Sequence, residues 1–250
     1  MDPRSHWQRI YGTKKATEVS WYQPIAELSL NMIRRVSPDP KAAVIDVGGG
    51  ASTLVDGLLS DGYRAITVLD LSSAALAHSA GRLKDEAAKV TWLEADVLDA
   101  ALPSAAYDVW HDRAVFHFLT RPGDRLRYVE RVRAAVRPGG HVIVATFGLD
   151  GPMACSGLEV VRYGATELHD QFGSDFELLE STREEHHTPA GATQPFVYCL
   201  CRVAGSPGAN PGGQSPIEGV SVPGRPGSSA ALYTRALRTR GPWQRSPRSG

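Results

Sequence analysis

From Ala42 onward, short apolar runs alternate with amphipathic stretches along the chain. The runs "AAVIDVG", "RAITVLDL", "KVTWLEAD", "YDVWHDR", "HVIVATF", "FELLEST" and "QPFVYCLCRV" are predicted strands. Between them, "STLVDGLLSDG" is predicted to be a helix that ends at Gly62, and "SSAALAHSAGRLKDEA" one that begins at a pair of capping serines. In "GDRLRYVERVRAAVRPGG", Leu126, Val129, Val132 and Val136 recur at helical spacing, Asp124 can cap the start, and Pro138-Gly139-Gly140 provides the stop. "PIAELSLNMIRRV" reads as an earlier helix closed by Pro38 and Pro40. Strands joined by helices pair in parallel, but the last two flank a Pro/Gly turn region too short for a packed helix, which implies an antiparallel pair. The predicted fold is α/β: a seven-stranded sheet, mostly parallel, ending in a C-terminal antiparallel hairpin, with helices on both faces.

Composition changes this picture at one end only. Residues 205–250 are rich in Gly, Pro, Ser and Arg and have little to bury, so a disordered tail is expected after a domain spanning residues 1–204. The zero net charge hides an asymmetry, since the tail carries six arginines against one acid, Glu218, and leaves the body acidic. That basic tail is the one feature that would attract nucleic acid or another polyanion, and no nucleic-acid partner is expected for the body. The apolar run "HVIVATFGL" is far shorter than the roughly 20 residues that span a bilayer, and "MDPRSHWQRIYG" lacks the apolar core of a signal peptide, so a cytoplasmic protein without membrane contact is expected. Cys199 and Cys201 share one face of a strand, a poor geometry for a bridge, and reduced thiols are the simpler reading.

The candidate chemistry centres on "VIDVGGGAS", a strand that runs into a glycine turn. Gly48 and Gly50 allow a ligand to approach the backbone. The dinucleotide pattern would require a small residue at Thr53, and no phosphate-binding lysine follows. Asp70 closes the second strand, where a carboxylate can accept both hydroxyls of a ribose. Asp96 closes the third, where it can accept the amine of adenine while the Val97 N–H meets a ring nitrogen. Two acids and a glycine loop describe a nucleoside pocket without a phosphate receptor.

With these residues in place, the chain resembles the class I S-adenosylmethionine-dependent methyltransferases over roughly residues 4–203. The resemblance rests on "VIDVGGGAS", "VLDLS", "EADVLD" and "RPGGHVIVATF"; "HWQRIYGTKKATEVSWYQ" and "YDVWHDRAVFHFLT" are similar to a bacterial subgroup related to protein-lysine and thiol methyltransferases. Ser52 stands where many members carry a third glycine of the loop. The resemblance implies a Rossmann-like sheet and S-adenosyl-L-methionine as cofactor. It places Asp46 with the Gly48 and Gly50 backbone at the methionyl end, Asp70 at the ribose, Asp96 and Val97 at the adenine, and Leu71 against the adenine face.

It also places His111, Asp112 and Arg113 where methyl transfer occurs. His111 could take a proton from a thiol or amine; in the alternative, Asp112 and Arg113 form a structural ion pair and His111 merely lines the wall. His117, within "VFHFL", reads as a core histidine. Glu184, Glu185, His186 and His187 suggest a metal, but adjacent histidines in a strand face opposite ways, and no metal site is expected. Trp7 and Tyr11 share a helical face, with Trp21 and Tyr22 close behind. That face could be a packing stripe, and the resemblance favours a lid over the cofactor formed by a helical segment within residues 1–40. Three functions follow: methyl transfer to a small thiol, amine or carboxyl compound or to a protein lysine; a non-catalytic adenosylmethionine-binding module acting through a protein partner; or a nicotinamide dehydrogenase, for which the chain has no room for a substrate domain and the wrong terminal hairpin.

Overall fold

The computed structural model describes residues 2–205. The tail expected to be disordered lies, from residue 206 on, outside the described residues. In chain order the elements are α1 (Pro3–Thr13), α2 (Glu27–Val36), β1 (Ala43–Val47), α3 (Leu54–Ser60), β2 (Ala65–Asp70), α4 (Ser73–Leu83), β3 (Val90–Glu94) and β4 (Tyr107–Arg113). They continue with α5 (Pro122–Ala135), β5 (Val136–Phe147), β6 (Ala154–Cys155), β7 (Leu158–Glu159), α6 (Ala165–Asp170), β8 (Phe176–His187) and β9 (Thr193–Val203). Seven strands form one sheet in the order β3-β2-β1-β4-β5-β9-β8, while β6 and β7 make a separate small hairpin. The pairings from β3 to β5 are parallel and β9 is antiparallel to both its neighbours, as the sequence predicts.

Two apolar layers cover the sheet. Val44, Val109 and Ile143 face α2 and α3, meeting Leu30, Ile33, Leu54 and Leu58. Ile45, Val47, Trp110 and Val142 face the other way, toward Tyr128 and Val132 of α5 and Leu168 of α6. Strand periodicity makes this division, since successive side chains leave opposite faces. The chain order reverses at β1, which has β2 on one side and β4 on the other, and a doubly wound sheet opens its ligand crevice at such a switch point.

Several boundaries differ from the periodicity reading. Helix α5 buries Tyr128, Val132 and Ala135, leaving Leu126 64% exposed, and Val136 already belongs to β5. Arg121 rather than Asp124 occupies the N-cap, with Pro122 at the first helical position, where its missing N–H costs nothing. Strand β8 continues past "FELLEST" through His187, because each of these residues up to His187 finds a partner on β9 apart from a bulge near Leu178. His117 is buried beside Phe118 and Phe147, consistent with a core histidine, and burial lowers its pKa to about 3. The three cysteines are free. Among the described residues no helix is long and apolar enough to cross a membrane.

One polar link crosses the α5 layer. The Tyr128 hydroxyl donates to Asp112 Oδ2 at 2.5 Å and accepts from Trp110 Nε1 at 2.9 Å, with all three side chains fully buried. Removing it takes one donor from a buried carboxylate and leaves an indole N–H unpaired. Tyr128→Phe is therefore expected to destabilise the fold by ~1–3 kcal/mol, read as a lower Tm in thermal unfolding; an unchanged Tm would mean that the pair is not structural.

Candidate functional site: a nucleoside-sized cavity at the strand ends

The glycine turn after β1 is pressed against its neighbours. Gly48 has φ +69°, and a Cβ there would lie 2.1 Å from the Val115 side chain. A Cβ on Gly49 would lie 2.1 Å from Asp46 Oδ2, and one on Gly50 would meet Ala75 at 2.5 Å and Asp70 Oδ2 at 2.7 Å. The backbone thus passes directly over two carboxylates. Asp70 Oδ2 accepts from the Gly50 N–H at 3.1 Å and Oδ1 from the Ser72 N–H at 2.8 Å. Burial raises the Asp70 pKa to about 6 despite these donors, and nearby Asp46 adds to the rise.

Under this turn lies a cavity of about 440 Å³, within the ordinary range of small-molecule sites. Its wall includes Gly48, Asp70, Leu71, Asp96 and Val97, five of the residues expected around a cofactor. Asp96 stands in the loop two residues beyond β3, where its Oδ1 accepts from the Leu98 N–H at 2.9 Å. Trp7 and Tyr11 of α1 border the same cavity. They belong to an aromatic cluster in which Trp7 meets Trp21 edge-on at 5.6 Å and Phe118 at 5.2 Å. Helix α1 is held over α4 by Gln8, whose Oε1 accepts from Ser72 Oγ at 3.0 Å and from the Ala74 N–H at 3.3 Å. A smaller cavity of about 40 Å³ adjoins, bordered by Tyr11, Trp21, Ser29, Asp46, His111 and Arg113.

The three consecutive residues of β4 separate. Asp112 faces α5, and beyond its bond from Tyr128 it accepts from the Val115 N–H at 2.8 Å and the Phe116 N–H at 3.1 Å. Burial raises its pKa to about 6. Those bonds secure a turn in which Ala114 holds φ +73° and Val115 reaches Gly48. His111 faces α2, fully enclosed: Nδ1 lies 2.7 Å from Asp46 Oδ1 and Nε2 lies 2.8 Å from Ser29 Oγ. Arg113 borders both cavities. It pairs with Glu184 at 3.2 Å, so the alternative of an Asp112–Arg113 ion pair is not what forms; residues one apart in a strand point to opposite faces.

The structure adds Ser29, Val115, Phe118, Glu184 and Tyr198 to the site and its support. Only Glu184 had a sequence signal, as part of the acid-histidine run. Of that run, His186 turns inward to the Ser20 carbonyl at 2.7 Å while His187 is exposed. Among the described residues no group of three or more His, Cys, Asp or Glu side chains is placed to hold a metal. The strand-end crevice thus brings a glycine turn and the acids Asp70 and Asp96 to one cavity.

Comparison with known proteins makes the class specific. The family model described as "Methyltransferase domain" matches residues 45–142. A Danio rerio protein named eEF1A lysine and N-terminal methyltransferase is 21% identical over 71% of this chain and 26% of its own length. An uncharacterized methyltransferase of Mycobacterium tuberculosis is 32% identical over 42% of this chain and 50% of its own. The chain thus matches only a quarter to a half of the length of these curated relatives. Among solved structures, the Burkholderia thailandensis 1,6-didemethyltoxoflavin-N1-methyltransferase with bound S-adenosylhomocysteine superposes with a TM-score of 0.62 at 22% identity, covering 80% of this chain and 87% of that one. Over residues 45–142 the chain thus matches a methyltransferase domain, and its sheet shares the fold of the toxoflavin methyltransferase.

The Ala114 turn yields a stability test. A left-handed residue costs an L-side chain about 1–2 kcal/mol, more than the entropy that glycine loses on folding. Ala114→Gly should therefore stabilise the protein by roughly 0.5–1 kcal/mol in denaturant unfolding; destabilisation would show that the Ala114 methyl packs productively.

Proposed function

We propose that this chain binds S-adenosyl-L-methionine in the larger cavity and transfers its methyl group to a nucleophile of a small molecule or a protein lysine. The observation that carries this reading is the pair Asp70 and Asp96 on one cavity wall, under a glycine turn too tight for any side chain. Asp70 would accept the ribose hydroxyls, Asp96 and the Val97 N–H would meet adenine, and Leu71 would cover its face. Asp46 fits the methionyl ammonium, because its buried Oδ2 has no hydrogen-bond partner among the described residues. When bound, the cofactor supplies a methyl group already activated by the sulfonium.

The chain's own task is then to orient the acceptor, exclude water and leave room for in-line attack. Trp7 and Tyr11 serve the second purpose: burial pushes the Tyr11 phenol far above its ordinary pKa, the mark of a dry surrounding, and Trp21 Nε1 donates to its oxygen at 3.2 Å. Arg113 is the member of the expected catalytic trio that reaches the cavity where the acceptor would lie. His111 and Asp112 we read as supports. Both acceptor classes have support: one relative is named for lysine methylation, and one structural neighbour for methylating a small heterocycle.

Calorimetry tests the site directly. Asp70→Ala is expected to weaken adenosylmethionine binding by at least about 2 kcal/mol, because two hydroxyls lose a charged acceptor, while NADH shows no comparable binding to the wild type. Unchanged affinity would reject the ribose assignment. Affinity should also depend on pH. The diol prefers ionised Asp70, whose pKa lies at about 6 without ligand. Acidification below that value must therefore weaken binding by up to about tenfold per pH unit, and Asp70→Asn should remove this dependence.

A further inference from the structure

The polar side chains beneath the glycine turn are continuous with those that hold the N-terminal segment. Asp46 Oδ1 binds His111, and the opposite ring nitrogen binds Ser29. Ser29 also lies beside the Tyr198 phenol, where it works against the rise in pKa that burial causes. Tyr198 accepts from Arg113 Nε at 2.9 Å and donates to Glu184 at 3.0 Å. Arg113 Nη1 then donates to the Trp21 carbonyl at 3.2 Å, and Gln23 Nε2 donates to the second Glu184 oxygen at 2.8 Å. Trp21 closes the path by donating to Tyr11 on α1.

Ser29, Asp46, His111 and Tyr198 are all buried, so water offers no substitute partners and breaking one link leaves its neighbours unsatisfied. One atom of the path lacks its partner: Asp46 Oδ2, buried and bordering the smaller cavity. With Oδ1 held by His111, the carboxylate cannot swing to satisfy Oδ2 elsewhere.

Building on the proposed function, we propose that His111 is a positioning residue that aims Asp46 Oδ2 at the methionyl ammonium, and that the path through Ser29, Tyr198 and Arg113 couples occupancy of Asp46 to the seating of Trp21 and Tyr11. The α1 segment then closes for a ligand that carries the amino-acid end and not for a bare nucleoside. A cation at Asp46 orders His111 and, through it, every donor and acceptor as far as the Trp21 carbonyl. Such coupling would keep the water-excluding segment open until the complete methyl donor is present.

The test uses the full chain and two ligands, adenosylmethionine and 5′-methylthioadenosine, which keeps the nucleoside thioether and lacks the amino-acid end. Binding is measured by calorimetry, and seating by trypsin cleavage at exposed Lys14 and Lys15, between α1 and Trp21. In the wild type, saturating adenosylmethionine should slow this cleavage markedly more than saturating methylthioadenosine. His111→Leu should lose about tenfold or more in affinity for adenosylmethionine while methylthioadenosine stays within about threefold. Ser29→Ala, a mild truncation that leaves the His111–Asp46 bond intact, should retain more affinity than His111→Leu yet lose the extra protection. Equal losses for both ligands in His111→Leu, or full protection in Ser29→Ala, would overturn the coupling. A wild type that binds neither ligand would instead reject the proposed function.

Discussion

The site depends on a backbone turn packed onto two carboxylates. Gly49 lies against Asp46 and Gly50 against Asp70 at distances no β-carbon tolerates, while Gly48 takes a left-handed conformation beside Val115. This contact shapes the upper wall of the cavity and removes Asp46 and Asp70 from water at the same time. Desolvation is unfavourable for both acids, and at Asp70 it is visible as a raised pKa. A ligand that brings hydroxyls and an ammonium to these oxygens relieves that penalty. The tight turn is thus the mould of the pocket and the cause of the burial of both acids, and under the proposed function it would favour a nucleoside with a cationic tail.

Strand β4 carries the consequences outward because of its alternation. Asp112 anchors the following turn from the α5 side, so that Val115 can meet Gly48. His111 and Arg113, on the other face, reach Asp46 and the N-terminal segment. Three adjacent polar residues therefore serve two faces of the sheet, and the pocket forms where both sets converge at the strand end. Residues Ser20 to Gln23 are held by His186, Arg113, Glu184 and Thr53, the last donating its hydroxyl to the Gln23 carbonyl at 3.0 Å. Helix α1 docks instead on α4 through Gln8 and His78. The stretch between these two anchorages, around Lys14, is exposed and suited to act as a hinge.

Much of this was legible in the chain. Strand periodicity and the switch from helix-linked strands to a short terminal connection led to a mostly parallel sheet with a crevice at its strand ends, since local pattern and crossover geometry suffice for them. Gly48, Asp70 and Asp96 could be expected on one cavity wall because strand ends in such a sheet converge on one crevice, whereas Gly50 packs against Asp70 without bordering the cavity. The side-chain pattern misled where apolar residues exceeded the buried face, as at Leu126, and where pairing with β9 extended β8 beyond its own propensities.

What the sequence by itself determined is therefore the order of elements, the glycine turn and the acids beside it, because period, spacing and residue type are properties of neighbours along the chain. Only the tertiary structure decided the partners. Ser29 and His111 are 82 positions apart and Glu184 and Gln23 are 161 apart, and no local signal marks a serine on a buried helix face as a histidine's partner. Which partners His111 and Asp112 take turned on which face of β4 each side chain leaves and on what packs there. That is settled by the assembled layers, where a buried polar group must find a partner from whatever element lies opposite.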